Sequence, residues 1–167
     1  DMLGVDLVTD GNDLVLQTVA TELLRVPVTG LSRVAYFGTD GDDTLNIANI
    51  EAMLAGLVGV DADAGNDTLR LTGSGQTLDL TQVADAEVQG FETIEITGSG
   101  NNMLMLNFNE VVNLSSTTDT LRVRHDVGDT VNYGGGWQAE FPQVVDGQYL
   151  HVLTQGDTTL QVANELP

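Results

Sequence analysis

The chain has 167 residues, of which 25 are aspartate or glutamate and 5 are arginine, with no lysine and no cysteine, and its formal net charge is −20. This charge argues against nucleic acids and anionic membranes as partners, because both are bound through clustered basic side chains. The lack of cysteine excludes disulfides and thiolate metal sites. The apolar fraction of 41% is enough for a folded core, and no apolar run reaches the ~20 residues that cross a bilayer.

The chain divides into three segments by the regularity of its pattern. Residues 1–37 contain four short alternating stretches and are expected to form an N-terminal cap. Residues 38–133 carry a repeated unit, interrupted at 48–58 by a stretch that fits a short helix or a loop. Residues 134–167, with two late strands at 148–154 and 159–163, are expected to form a C-terminal cap of the same domain. Because the sequence begins at Asp1 without an initiator methionine, we expect a processed or excised piece of a larger protein.

The repeated unit is an acidic residue, a threonine (in all four copies) and an alternating apolar pair. A second alternating string follows after a glycine turn, and the whole unit recurs about every 26 residues from 67 to 133. Period-2 alternation predicts strands with one buried face, here with Leu69, Leu71, Leu78 and Leu80 pointing inward. The repetition predicts an all-β fold, a parallel β-solenoid with about 26 residues per coil and irregular caps. The alternative is an antiparallel β-sandwich, which also has short strands and frequent turns.

Three glycine turns rich in aspartate each come directly before a predicted strand, at residues 9–13, 39–43 and 61–67. Calcium takes six to eight oxygen ligands from carboxylates and main-chain carbonyls, and glycine lets a turn bring such oxygens together. The alternative is that Asp, Asn and Gly are simply the usual turn residues. The turns therefore predict Ca²⁺ sites with the ligands Asp10, Asp13, Asp40, Asp42, Asp43, Asp61, Asp63 and Asp67.

Residues 38–46, Gly-Thr-Asp-Gly-Asp-Asp-Thr-Leu-Asn, resemble the glycine-rich nonapeptide of RTX-type secreted bacterial proteins. Residues 62–70 and 8–16 match that pattern less completely. The resemblance implies that Asp13, Asp43 and Asp67 take the calcium-ligating position, with calcium between stacked turns. In this chain the turns are 24 or 30 residues apart, so the sites require whole units to stack. Turns 98–102 and 126–130 have Asn102 and Thr130 at that position and are expected to bind no metal.

Residues 38–137 also resemble modules of very large bacterial surface and adhesin-like proteins, through Gly-Asn-Asp-Thr-Leu at 65–69, Gly-Phe-Glu-Thr-Ile at 90–94, Asp-Thr-Leu at 119–121 and Gly-Gly-Gly-Trp at 134–137. This resemblance implies an extracellular or cell-surface location and a structural or adhesive role. The sequence contains no nucleophile elbow, phosphate loop or His-Glu-x-x-His motif. His125 beside Asp126 fits a solvated turn better than a general base, and His151 fits a surface position. We therefore predict that the chain is not an enzyme.

Three functions follow as hypotheses from these features. The first is a calcium-binding structural or adhesive module of a bacterial surface protein. The second is a self-assembling subunit of an extracellular filament or surface layer, forming a homo-polymer through its terminal strands. The third is a carbohydrate-binding or carbohydrate-cleaving domain with an aromatic platform for a glycan at Trp137, near Tyr133, Phe141 and Tyr149. The alternative for that aromatic cluster is packing at the end of the fold.

Overall fold

The computed structural model describes residues 4–50, 58–115, 117–145 and 147–164. Of the predicted short helix or loop at 48–58, residues 51–57 lie outside this described part. In this described part, the strands are accompanied by an α-helix, α1 (Phe108–Leu114), and by two single 3-10 turns, Leu80–Gln82 and Asp85–Glu87. The strands are β1 Gly4–Asp10, β2 Asp13–Gln17, β3 Glu22–Pro27, β4 Val34–Phe37, β5 Thr44–Ile47, β6 Val58–Asp61, β7 Thr68–Leu71, β8 Thr77–Asp79, β9 Val88–Gln89, β10 Thr93–Glu95, β11 Met103–Met105, β12 Thr120–Arg124, β13 Thr130–Asn132, β14 Gln138–Ala139, β15 Gln143–Val145, β16 Gln148–Gln155 and β17 Thr158–Asn164.

The largest sheet has eleven strands in the order β14-β16-β17-β12-β10-β7-β5-β1-β2-β3, and β15 also pairs with β16. The prediction of a parallel β-solenoid is wrong, because this sheet is mixed. Its middle, from β1 through β5, β7, β10 and β12 to β17, is parallel. Both of its ends are antiparallel, β1-β2-β3 on one side and β14, β15, β16 and β17 on the other. The alternative antiparallel sandwich does not account for the parallel middle.

Two glycine turns explain why the sheet reverses direction at its ends. Gly11 and Asn12 connect β1 to β2, and Gly156 and Asp157 connect β16 to β17. Both glycines have φ of 61°. Two-residue loops with glycine at the first position match the twist of an antiparallel hairpin. The turn at 9–13, for which the sequence predicts calcium ligands, is therefore the loop of a hairpin.

Two further sheets, each of three parallel strands, lie beside the main sheet, in the orders β13-β11-β8 and β4-β6-β9. The apolar side chains that these sheets and the main sheet direct inward form one buried cluster that extends from Val5 to Val162. Phe91, Leu69 and Leu78 belong to this cluster and have no exposed surface. The alternation in the sequence therefore identifies the buried face of these strands correctly, although it does not identify how the sheets connect.

The parallel middle of the main sheet departs from the sequence repeat at one step. Thr44 pairs with Thr68, and Thr68 pairs with Thr93, as the repeat predicts. Thr93 then pairs with Arg122 and not with the predicted Thr120. A shift of two residues keeps every side chain on its original face. The consequence is that Asp119, which the repeat aligns with Glu92, lies outside the row of acidic residues described below.

Thr93 and Glu95, which the alternation places outward, are each only 7% exposed. Arginines on the neighbouring strands cover Glu95, since Arg70 Nε and Arg124 Nη1 both form ion pairs with its carboxylate. The outer face of the middle strands is therefore a row of paired charges. This pairing explains how a glutamate can be nearly buried on the solvent side of the sheet.

Candidate cation site at the carboxylate stack

Three acidic side chains lie one above the other where β5, β7 and β10 begin, and we call Asp43, Asp67 and Glu92 the carboxylate stack. Their positions follow from the parallel register, because each comes directly before a threonine that pairs with the threonine of the next strand. Asp43 is 5% exposed, Asp67 is fully buried and Glu92 is 7% exposed. Such burial of unpaired acids is rare in proteins.

Main-chain amides hold the carboxylate stack together. The Asp43 N–H donates to Asp67 Oδ1 at 2.7 Å, and the Asp67 N–H donates to Glu92 Oε2 at 2.9 Å. Asp43 Oδ2 accepts from the Thr39 N–H at 2.6 Å. Each carboxylate therefore extends the ladder of hydrogen bonds by one step beyond the end of its strand. The acids satisfy backbone donors that would otherwise be buried without partners.

Burial raises the pKa of Asp67 to about 6, and the nearby charges of Glu92, Asp43 and Asp42 raise it as well, while the hydrogen bond from the Asp43 N–H opposes them. Burial also raises the pKa of Glu92, against hydrogen bonds from main-chain amides and Thr117. The pKa of Tyr36 is raised by burial and by the charges of Asp43 and Asp67. The stack is therefore a site of strong negative potential, where neutralisation by a proton or a cation is favourable.

Arginine provides that neutralisation elsewhere in the molecule. In the part of the chain that the structure describes, the ion pairs of arginine are made with Asp10, Asp13, Glu22, Glu87 and Glu95. None of these pairs includes a member of the carboxylate stack. Asp67 and Asp43, the acids with the least contact with solvent, are therefore outside these arginine pairs, whereas Glu95, which is as buried as Glu92, has two.

The structure separates the eight predicted calcium ligands into different environments. Asp10 and Asp13 both contact Arg25 Nη1, at 2.8 and 3.4 Å, so a cation already occupies their hairpin. Asp61 ends β6 in another sheet, and its Oδ1 accepts from the Asp63 N–H at 3.1 Å. Asp63 has a positive φ of 67°. The carboxylates of Asp10, Asp13 and Asp61 therefore already have local partners.

The remaining predicted ligands, Asp40, Asp42, Asp43 and Asp67, belong to two turns that the parallel pairing of β5 and β7 brings together. Asp40 and Asp42 are exposed. Asp42 Oδ1 accepts from the Asn66 N–H at 2.9 Å, across the two turns. The structure thus brings together the turns that carry Asp42, Asp43 and Asp67. It also places Glu92 beside them, a residue that is not among the predicted ligands. The signal for Glu92 was its place in the repeat, one unit after Asp67.

The two turns approach each other so closely at residue 65 that a side chain there would meet both of them. A Cβ atom on Gly65 would lie 2.8 Å from the Gly41 carbonyl oxygen and 2.9 Å from Asp67 Oδ1. The other oxygen, Asp67 Oδ2, is buried and has no hydrogen-bond partner. A carbonyl and a carboxylate of this kind are ligands that calcium prefers. Within the described ranges, no three acidic or histidine side chains are arranged to hold a metal ion, so a cation here would also use main-chain carbonyls.

A second stack, made of neutral and acidic side chains, repeats the same arrangement in the sheet of β8, β11 and β13. The Gln76 N–H donates to Asn102 Oδ1 at 2.9 Å, and the Asn102 N–H donates to Asp129 Oδ1 at 2.7 Å. Asn102 Nδ2 donates to the Ile96 carbonyl oxygen at 3.0 Å. An asparagine therefore fills a stacking position without adding charge, which makes asparagine the natural replacement for testing the carboxylate stack.

The sequence also suggested Trp137, His125 and His151 as candidate functional residues. Trp137 is half-buried, its Nε1–H donates to the Tyr133 carbonyl oxygen at 2.9 Å, and its ring centroid is 6.1 Å from that of Phe108. His125 Nδ1 lies 3.3 Å from the Asp126 carbonyl oxygen in an open turn. His151 is exposed on β16. The geometry favours a packing role for Trp137.

No protein-family model matches the chain, and neither a curated protein nor a solved structure matches it. In the ranges that the structure covers, no helix has the length and apolar character needed to cross a membrane.

Proposed function

We propose that the chain is a non-catalytic structural or adhesive module of an exported bacterial surface protein, and that calcium bound beside the carboxylate stack completes its fold outside the cell. The observation that supports this proposal best is Asp67, a fully buried carboxylate with one unpartnered oxygen and two acidic neighbours in the stack. A divalent cation would remove the repulsion that arginine removes elsewhere in the molecule.

The residues that would hold the ion are Asp67, Asp42 and the main-chain carbonyl of Gly41, with Asp43 and Glu92 completing the negative field. Extracellular modules bind calcium with dissociation constants of about 10⁻⁴ to 10⁻³ M. Such a site would fill at extracellular calcium concentrations and stay empty at cytosolic ones. The fold would therefore reach its full stability only after export.

Thermal unfolding with and without calcium tests this proposal. We expect the melting temperature to rise with calcium, because an ion that binds only the folded chain at ten times its dissociation constant adds about 1.4 kcal/mol of stability. The response should disappear in Asp67→Asn and persist in Asp157→Asn, which removes the same charge from an exposed hairpin loop. A folded wild-type chain with the same melting temperature in EGTA and in millimolar calcium would rule out the calcium site.

A second candidate function, a self-assembling subunit, is supported by the two edges of the main sheet. β3 is the last strand on one side, and its Leu23 and Leu24 are 53% and 42% exposed. On the other side, Phe141, Val144 and Tyr149 are exposed beside β15 and β16. Unpaired strands with exposed apolar side chains are places where another chain can add. Copies joined edge to edge in this way would form an open filament.

Light scattering over a range of protein concentrations tests the second candidate. We expect the average mass of the wild-type chain to rise with concentration and that of Leu24→Lys to stay at the monomer value, since a lysine on an edge strand opposes pairing. Val19→Lys adds the same charge at a fully exposed position outside β3 and should behave like wild type. A wild-type chain that is monomeric at every concentration argues against self-assembly.

A further inference from the structure

A polar groove of about 160 Å³ crosses the main sheet next to the carboxylate stack. Thr93, Arg122 and Gln161 lie side by side in it, because they are register partners on β10, β12 and β17. Its remaining walls include Asn66, Glu92 and Thr120. The groove is thus built on three adjacent strands, which hold its side chains at fixed spacings.

Two long side chains in the groove, Arg122 and Gln161, are in contact with each other. Arg122 Nε donates to Gln161 Oε1 at 3.3 Å, which aligns a guanidinium with a carboxamide on the next strand. Glu92 is held from below by the Asp67 N–H at its Oε2. Because these groups are already ordered, ligand binding would not lose affinity to the entropy cost of ordering them.

The chemistry of the lining limits the class of ligand. Glu92 disfavours phosphate and sulfate, and Arg122 disfavours a metal cation. The planar polar groups and hydroxyls disfavour an apolar molecule, which could not satisfy them. What the lining does match is a ligand with several adjacent hydroxyls, because each hydroxyl both donates and accepts while guanidinium, carboxylate and carboxamide groups provide paired donors or acceptors. With about 160 Å³, the groove limits the ligand to a small molecule or to one ring of a larger one.

We propose that this groove binds one ring of a neutral saccharide, with Arg122 and Gln161 as the principal hydrogen-bonding residues. The site differs from the aromatic platform at Trp137 and does not require calcium. Because Glu92 belongs to both the groove and the carboxylate stack, saccharide binding is measured with and without calcium so that the two proposals can fail separately. In a surface-exposed module, such a groove would provide contact with a glycan.

The test is an NMR titration of the ¹⁵N-labelled full chain with methyl glycosides of glucose, galactose and mannose and with N-acetylglucosamine, in EGTA and again in calcium. We expect saturable shifts of the amides of Thr93, Arg122 and Gln161 with at least one of the sugars in both buffers. Arg122→Gln and the milder Gln161→Ala should each weaken that binding about tenfold, the effect of losing one hydrogen bond of ~1.4 kcal/mol. Arg33→Gln, an arginine change on an exposed residue away from the groove, should leave it unchanged.

Three results would overturn the proposal. One is the absence of saturable shifts with all four sugars. Another is a set of shifts centred on Trp137 and Tyr133, which would support the aromatic platform instead. The third is sulfate shifting the groove amides more strongly than any sugar, which would identify an anion site. If Arg122→Gln does not fold, Gln161→Ala decides the question, because wild-type affinity in that folded variant also contradicts the proposal.

Discussion

Replacing Asp67 with asparagine is expected to make the stability of the metal-free protein less sensitive to pH. The pKa of Asp67 is raised from 3.8 to about 6 in the folded chain. The folded state therefore holds this proton more tightly than the unfolded state, so the contribution of Asp67 to stability is greatest below pH 4. It is lost as the pH rises through about 6. At about 1.4 kcal/mol per pKa unit, the loss by pH 7 is on the order of 3 kcal/mol.

Chemical unfolding of wild type and Asp67→Asn at pH 4 and pH 7, both in EGTA, measures this effect. The difference in unfolding free energy between variant and wild type should be about 2 kcal/mol more favourable to the variant at pH 7 than at pH 4, because part of the full effect lies below pH 4. Any fixed cost of placing an amide in the buried site cancels between the two pH values. Asp157→Asn should show almost no change between them. An equal difference at both pH values for Asp67→Asn would show that the buried carboxylate is not under electrostatic strain.

Replacing Gly65 with alanine is expected to destabilise the fold by about 3 kcal/mol in EGTA, and by more in calcium, because the variant would also lose the proposed ion. Gly65 has a φ of 155°, which residues with a side chain rarely adopt. Its new Cβ would also meet the Gly41 carbonyl oxygen at 2.8 Å, and main-chain atoms cannot rotate away. Unfolding by urea measures the change.

Gly135→Ala is the matched control, because a Cβ atom at Gly135 meets nothing within 4 Å and its φ is not in the left-handed region. This variant should change stability by less than about 0.5 kcal/mol, as surface substitutions usually do. Gly65→Ala with the stability of Gly135→Ala would mean that the turns at 39–43 and 61–67 are not in close contact, and the proposed calcium site, which depends on that contact, would be ruled out.

The sequence predicted the strands and their buried faces well, because a period of two depends only on local pattern. It failed at the connections. Gly11-Asn12 and Gly156-Asp157 each lie between alternating stretches, which is the usual signal for a hairpin. The acidic residues around Gly11 favoured a prediction of metal binding instead. The sequence therefore contains the signal for both antiparallel ends of the main sheet. At Gly11 the same residues were interpreted as a calcium-binding turn.

The candidate site was only partly predictable for a different reason. The sequence identifies which turns are acidic, but it does not show which acids will have an arginine. Arg25 reaches Asp10 and Asp13 from β3, more than ten residues further along the chain. Glu92 reaches Asp67 because a register of 25 residues places them together. Such pairings depend on the tertiary fold, so only the structure distinguishes the compensated acids from the uncompensated stack.

The two antiparallel ends have a consequence for the size of the molecule. They lie on either side of the parallel middle of the main sheet. In that middle β5, β7 and β10 are adjacent, and the first threonine of each strand is in register with that of the next. A segment of 25 residues, from Thr68 to Glu92, therefore carries one complete step from strand to strand. Duplicating it in frame would add one more strand, or about 4.8 Å, to the main sheet and would leave both hairpins as they are. The number of strands in the parallel middle is therefore independent of the two hairpins that end the sheet.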